Sequence, residues 1–130
     1  MTRTPAVKLI ALLKRKPGLS MEDFIAYYEE KHAPLVLRIV PFIMDYRRNY
    51  VQHESAIAAM DGQPGDCDVI TEAWFETQAD FDKFMAEGAK PENRALIVTD
   101  ELNFLDRSSI RMFLVDERES SIRPVVRSEA

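Results

Sequence analysis

Of the chain's two histidines, one stands where proton transfer would be served. His32 occurs in Tyr27-Tyr28-Glu29-Glu30-Lys31-His32-Ala33-Pro34. An imidazole ordinarily titrates near neutrality, so it can take up and release a proton at working pH. A Pro17-Gly18 turn, a Ser20 cap and helical spacing of Phe24, Tyr27, Tyr28 and Lys31 place His32 at a helix end. Pro34 disfavours helical geometry at Ala33 and can open a second short helix from Leu35 to Ile39. A histidine there also suits a structural role, closing the helix and satisfying its last carbonyls. His53 opens a loop and is expected to be exposed. No ligand-spaced cluster joins the two histidines, so no metal is expected.

Further candidates sit on strand-like segments. In Tyr46 to Gln52, Tyr46, Arg48 and Tyr50 share one face. In Cys67 to Phe75, Asp68, Glu72 and Trp74 share a face with Ile70, opposite Val69, Thr71, Ala73 and Phe75. If these polar and aromatic faces line one cavity, they suit a flat organic ligand. A buried Glu72 would titrate high unless paired, with Arg48 as the candidate partner. Glu72 or Asp68 is then expected to be the carboxylate working opposite His32, giving a bell-shaped activity profile between about pH 5 and 8. Glu29 and Glu30 lie within a turn of His32 and are expected to stay in water. Tyr46 or Tyr50 could donate to a developing enolate or phenolate oxygen. The structural alternatives are an Arg48–Glu72 pair beneath Trp74 in a dimer core, and strand aromatics packing across the sheet. Asp100-Glu101 ends a helical run and reads as its solvated side.

These residues need a scaffold, and the pattern supplies one. Ala6 to Leu13 is apolar on both faces and reads as a covered strand. Thr77 caps a helix whose stripe is Phe81, Phe84 and Met85, stopping near Gly88. Pro91 to Phe104 reads as a looser helix and Ile110 to Val115 as the last strand. His53 to Asp66 is a long connection. The order β-α-β-β-α-β predicts a ferredoxin-like α+β sandwich. Its helices cover one sheet face only. Ile70 and Trp74 on the other need a cover, so a homodimer is expected, with both residues buried in it. Residues 1–117 form the expected domain and 118–130 a polar tail or arm.

The net charge of −5 and the scattered Lys and Arg exclude a nucleic-acid surface. Cys67 is the only cysteine, too few for a disulfide framework or thiolate zinc site. No segment reads as a signal peptide or membrane span, so a cytoplasmic protein is expected. Four glycines in the wrong spacing exclude a phosphate loop or dinucleotide fingerprint.

The chain resembles the EthD-domain family of dimeric α/β-barrel proteins. The matching pieces are Lys14-Arg15-Lys16-Pro17-Gly18-Leu19-Ser20 with Phe24, Tyr28 and His32-Ala33-Pro34. Later come Tyr46, Arg48-Asn49-Tyr50, Glu72-Ala73-Trp74-Phe75 and Asp100-Glu101 with Phe104. The likeness runs from about Val7 to Glu117. It implies the ferredoxin-like fold and a homodimer whose sheets close a barrel. Similar dimeric barrels include cofactor-free cyclases, dehydratases, decarboxylases and lactone isomerases acting on phenolic or polyketide-like compounds, and also haem-using members and cofactor-free oxygenases. The expected activity is a cofactor-independent lyase or isomerase, of decarboxylase or dehydratase type, with an aromatic or polyketide-like substrate. His32, Glu72, Asp68 and Tyr46 are the catalytic candidates; Arg48, Tyr50, Trp74, Tyr28 and Asp100 are the substrate-binding ones. The alternatives are a non-catalytic small-molecule binding protein and a haem-dependent or cofactor-free oxygenase.

Overall fold

Strand β1 (Val7–Leu13) crosses the centre of a four-stranded sheet. The computed structural model describes residues 7–40, 42–55, 57–58 and 67–122. The remaining strands are β2 (Asp45–Tyr50), β3 (Val69–Phe75) and β4 (Arg111–Val115), in the spatial order β2-β3-β1-β4 with every neighbouring pair antiparallel. The helices are α1 (Met21–Tyr27) and α2 (Ala33–Ile39) between β1 and β2, and α3 (Gln78–Ala89) and α4 (Pro91–Glu101) between β3 and β4. The fold is the expected ferredoxin-like α+β sandwich, each of its two crossovers carrying a pair of helices. Part of the expected 53–66 connection, and the end of the expected tail, lie outside the described residues.

Local chemistry explains the element ends. The Ser20 side chain accepts from the Asp23 backbone N–H at 3.1 Å, and Thr77 caps α3 in the same way through Asp80. Gly18 takes φ +86°, a left-handed conformation that glycine adopts without a steric penalty.

Pro34 does not end the helical run as the sequence predicts. A π-turn, Tyr28–His32, joins α1 to α2, and the Ala33 N–H reaches back to the Tyr28 carbonyl. The extra residue in this wide turn relieves the clash that a proline ring makes in an α-helix interior, and Pro34 has no N–H to lose. His32 therefore sits within a continuous helical run and not at its end. Phe24, Tyr28 and His32 all point inward and are buried.

All four helices lie on the sheet face formed by Val7, Leu9, Ala11 and Leu13 with Val69, Thr71, Ala73 and Phe75. Phe24, Tyr28, Phe104 and Leu105 pack over Ala11, Leu13 and Val69. Phe81 and Phe84 pack over Val7, Leu9, Ala73 and Phe75. Each fully buried aromatic contributes roughly 2–3 kcal/mol of apolar transfer energy. The other face, with Ile10, Leu12, Ile70, Glu72, Trp74 and Phe113, carries no helix. Among the described residues no helix is long and apolar enough to cross a membrane.

Candidate functional site

Between the sheet and the helices lies a cavity of about 280 Å³. Its walls are largely apolar, with Leu9, Ala11, Val36, Ile43, Phe84 and Ile97 among them, and its polar groups include His32, Tyr28, Tyr46 and Thr71. The combination of an apolar chamber and a few converging polar groups is the usual form of a small-molecule site.

His32 is held from two sides. Its ring packs on Phe104 with centroids 4.9 Å apart and meets Tyr28 edge-on at 5.5 Å. Its Nδ1 lies 2.8 Å from Asp100 Oδ2. An ionised carboxylate only accepts, so Nδ1 carries the hydrogen, and in the neutral ring Nε2 is the unprotonated nitrogen. Nε2 makes no hydrogen bond among the described residues. Asp100 is itself fixed, because the Tyr27 hydroxyl donates to its Oδ1 at 2.6 Å and Asn103 Nδ2 donates to that hydroxyl at 2.8 Å. Burial, and then the bond to Asp100, push the Tyr27 phenol up, so it stays a donor.

A second polar group forms the sheet wall. The Tyr28 hydroxyl lies 2.8 Å from Thr71 Oγ1 and 3.2 Å from the Tyr46 hydroxyl. Burial raises both phenols, most of all Tyr46, whose neighbour Tyr28 adds to the effect. Both therefore remain protonated. Three hydroxyls linked by two hydrogen bonds leave one O–H for a third acceptor.

Arg48 and Tyr50 stand beside this wall and not in it. Arg48 Nε and Nη2 grip Glu29 at 2.8 and 2.7 Å, Nη1 donates to the Tyr46 carbonyl, and the Tyr50 hydroxyl donates to Glu29. Arg48 first, and Tyr50 also, hold the Glu29 carboxyl below its ordinary range, although burial opposes them. Glu29, expected to stay in water, thus takes the place beside Arg48 that was expected of Glu72.

The expected convergence of Asp68, Glu72 and Trp74 on His32 does not occur. Register decides this: Tyr46 pairs with Ala73, Arg48 with Thr71 and Tyr50 with Val69. That places the β2 trio on the helix face and sends Glu72 and Trp74 to the opposite one. Glu72 bonds Lys8 at 2.9 Å and accepts from Asn49 at 3.2 Å. Lys8 chiefly holds its carboxyl low against the pull of burial, the reverse of the raised acid expected. Lys8 and Arg47 lie over the Trp74 ring, 4.9 and 5.0 Å from its centroid. Asp68 is buried at the head of β3, where it accepts from the Arg15 N–H and pairs with His53, each at 2.8 Å. The two histidines thus serve separate aspartates.

Thr71, Tyr27 and Arg94 also stand at this site and were not among the sequence candidates. Thr71 carried a signal, as the single hydroxyl in an apolar row of β3. Tyr27 and Arg94 carried none, because their relevance depends on how α4 docks.

Residues 16–108 match the EthD domain. The chain belongs to the EthD-domain family. Among solved structures, an EthD family protein of Bacillus halodurans aligns over 86% of this chain and 98% of its own at 20% identity, with a TM-score of 0.58. The Arabidopsis thaliana protein At3g17210 covers 91% and 99% at 16% identity, TM-score 0.55. SnoaB of Streptomyces nogalater, described as a cofactor-independent oxygenase, covers 88% and 94% at 12% identity, TM-score 0.52. At such identities the likeness concerns the fold. No curated protein matches the chain in sequence.

Proposed function

We propose that this EthD-domain protein is a cofactor-independent lyase or isomerase that moves a proton on an aromatic or polyketide-like small molecule, with His32 as general base and acid. The observation that carries this reading is the Tyr27–Asp100–His32 chain: it fixes the imidazole with Nδ1 bound and Nε2 available beside an apolar cavity. In this reading Nε2 removes a proton from a carbon next to a carbonyl, or from a hydroxyl. The spare O–H of the Tyr28, Tyr46 and Thr71 group donates to the oxygen on which negative charge grows. The imidazolium, steadied by Asp100, then returns its proton. Delivery to a departing hydroxyl releases water; delivery to another carbon completes an isomerisation. Decarboxylation needs only the return step, to the carbanion left by loss of CO₂. Arg48 and Tyr50 act through Glu29, by fixing the π-turn that carries Tyr28 and His32. The protein works as a homodimer joined through the helix-free sheet face.

The test uses metal-free, cofactor-free protein with aromatic hydroxy acids, β-keto acids and lactones, product analysis by mass spectrometry and an oxygen electrode in the same vessel. Turnover without oxygen uptake is expected, with His32→Ala slower by about 10²–10⁴-fold, the usual contribution of general acid–base catalysis. Added imidazole should restore part of the rate. A full rate in His32→Ala removes the histidine from the mechanism. Oxygen uptake coupled to product would make the protein an oxygenase, the activity described for SnoaB. Binding without turnover across the panel would make it a carrier.

A further inference from the structure

We infer that the ligand of this cavity is an organic anion, an apolar aromatic acid whose acidic group is held at the cavity mouth by Arg94. The inference rests on reading the cavity as a ligand site and adds the substrate class. Three ionisable side chains that carry or can carry charge near neutrality line the cavity: His32, Arg94 and Glu101. His32 is committed to Asp100. Glu101 is committed to Arg107, whose Nε lies 3.0 Å from its carboxylate. Arg94 has no side-chain partner among the described residues; its backbone N–H donates to the Lys90 carbonyl at 2.8 Å at the start of α4.

Arg94, Ile97 and Glu101 follow each other at helical spacing along the face of α4 that borders the cavity. Arg94 is exposed and still lines the cavity, which puts it at the opening. Phe84, Met85 and Ile97 are among the apolar residues that line the same cavity. A cation at the rim of an apolar chamber selects an amphiphilic anion. The apolar body loses water inside, and the acid meets a planar fork of N–H donors matched to a carboxylate or sulfonate. Asp100, which holds His32, lies six residues further along α4, about 9 Å at 1.5 Å per residue.

The test compares two fluorescent probes that differ by one group, 8-anilinonaphthalene-1-sulfonate and neutral N-phenyl-1-naphthylamine, titrated into wild type, Arg94→Gln, Arg94→Lys and His32→Gln. Wild type is expected to prefer the sulfonate by about tenfold or more, the usual gain of a charge-assisted contact. Arg94→Gln should abolish that preference while keeping its affinity for the neutral probe, and Arg94→Lys should retain part of it. The preference should persist in His32→Gln, which separates this inference from the catalytic reading. If His32→Ala proves fully active but the preference tracks Arg94, the catalytic reading falls and the anion site stands. A wild type without preference, or one unchanged in Arg94→Gln, overturns the proposal. Failure of both probes to bind overturns it together with the reading of the cavity as a ligand site.

Discussion

Asp100 spends one oxygen on Tyr27 and the other on His32, so its value to the site lies in direction more than in charge alone. Asp100→Asn keeps the size but offers one acceptor in place of two, and an NH₂ group cannot accept from Nδ1. The imidazole then loses the partner that fixes its tautomer. Turnover is expected to fall about 10–100-fold, the scale of losing a partner that orients a functional imidazole, while KM stays near its original value. Tyr27→Phe removes the outer link and should cost less. Steady-state kinetics on both variants checks this, and a wild-type kcat in Asp100→Asn would show that the pair has no part in turnover. His32 was visible in the sequence by residue type alone. Asp100 was a substrate-binding candidate through the family resemblance, but its pairing with His32 was not legible, because Asp100 lies 68 positions away and meets it only once α4 packs against the π-turn.

At the element scale, the contact between the π-turn and β2 determines where Tyr28 and His32 stand. Glu29 ties the turn to Arg48 and Tyr50, and its carboxyl is held below its ordinary 4.5, first by Arg48. A group held lower in the folded than in the unfolded chain adds stability above its unfolded value. That contribution disappears as pH falls through the folded value. Glu29→Gln should therefore destabilise the protein near neutrality by about 1 kcal/mol at most, since the Glu29 side chain is 39% exposed and water screens the pair. The difference in melting temperature should shrink steadily below about pH 4.5. Thermal melts from pH 3 to 7 measure it; a gap that widened in acid would refute the assignment. Phe104 supports the same junction from below, touching Phe24, Tyr27, Tyr28 and His32. Phe104→Ala should cost about 3–5 kcal/mol through the cavity it opens, and chemical denaturation reads this directly. Most elements were legible, because caps, turns and apolar periods are local signals. Register was not. Alternation shows that Tyr46, Arg48 and Tyr50 share a face, and separately that Asp68, Glu72 and Trp74 do. Which of those faces coincide depends on the pairing that the long 51–68 connection allows, and no local residue states it. The π-turn was missed for a related reason: Pro34 signals a broken α-helix, and a widened turn is a second way of accommodating it.

For the whole molecule the second sheet face, with Ile70 and Trp74 and no helix over it, decides the assembly. Strand β4 is an edge, paired on one side only, and Met112, Phe113, Leu114 and Val115 are all exposed. Exposed apolar edges invite pairing with another chain. On the adjoining face the Trp74 Nε1 hydrogen is buried and has no acceptor among the described residues. Its surroundings carry both signs, Lys8 with Glu72 and Glu117, and Arg47 nearby. Such a face can meet a copy of itself across a two-fold axis without accumulating like charge. We predict a dimer at micromolar concentration, with a mass by light scattering about twice the 15.0 kDa of the chain. Phe113→Asp places a charge at the centre of the apolar strand and should yield monomers, with Trp74 fluorescence shifted to the red as its indole meets water. Trp74→Ala should weaken association as well, by removing a large buried surface. Wild-type protein that stays monomeric at that concentration would sink the paired-sheet arrangement, and the Trp74 face would then need another kind of cover.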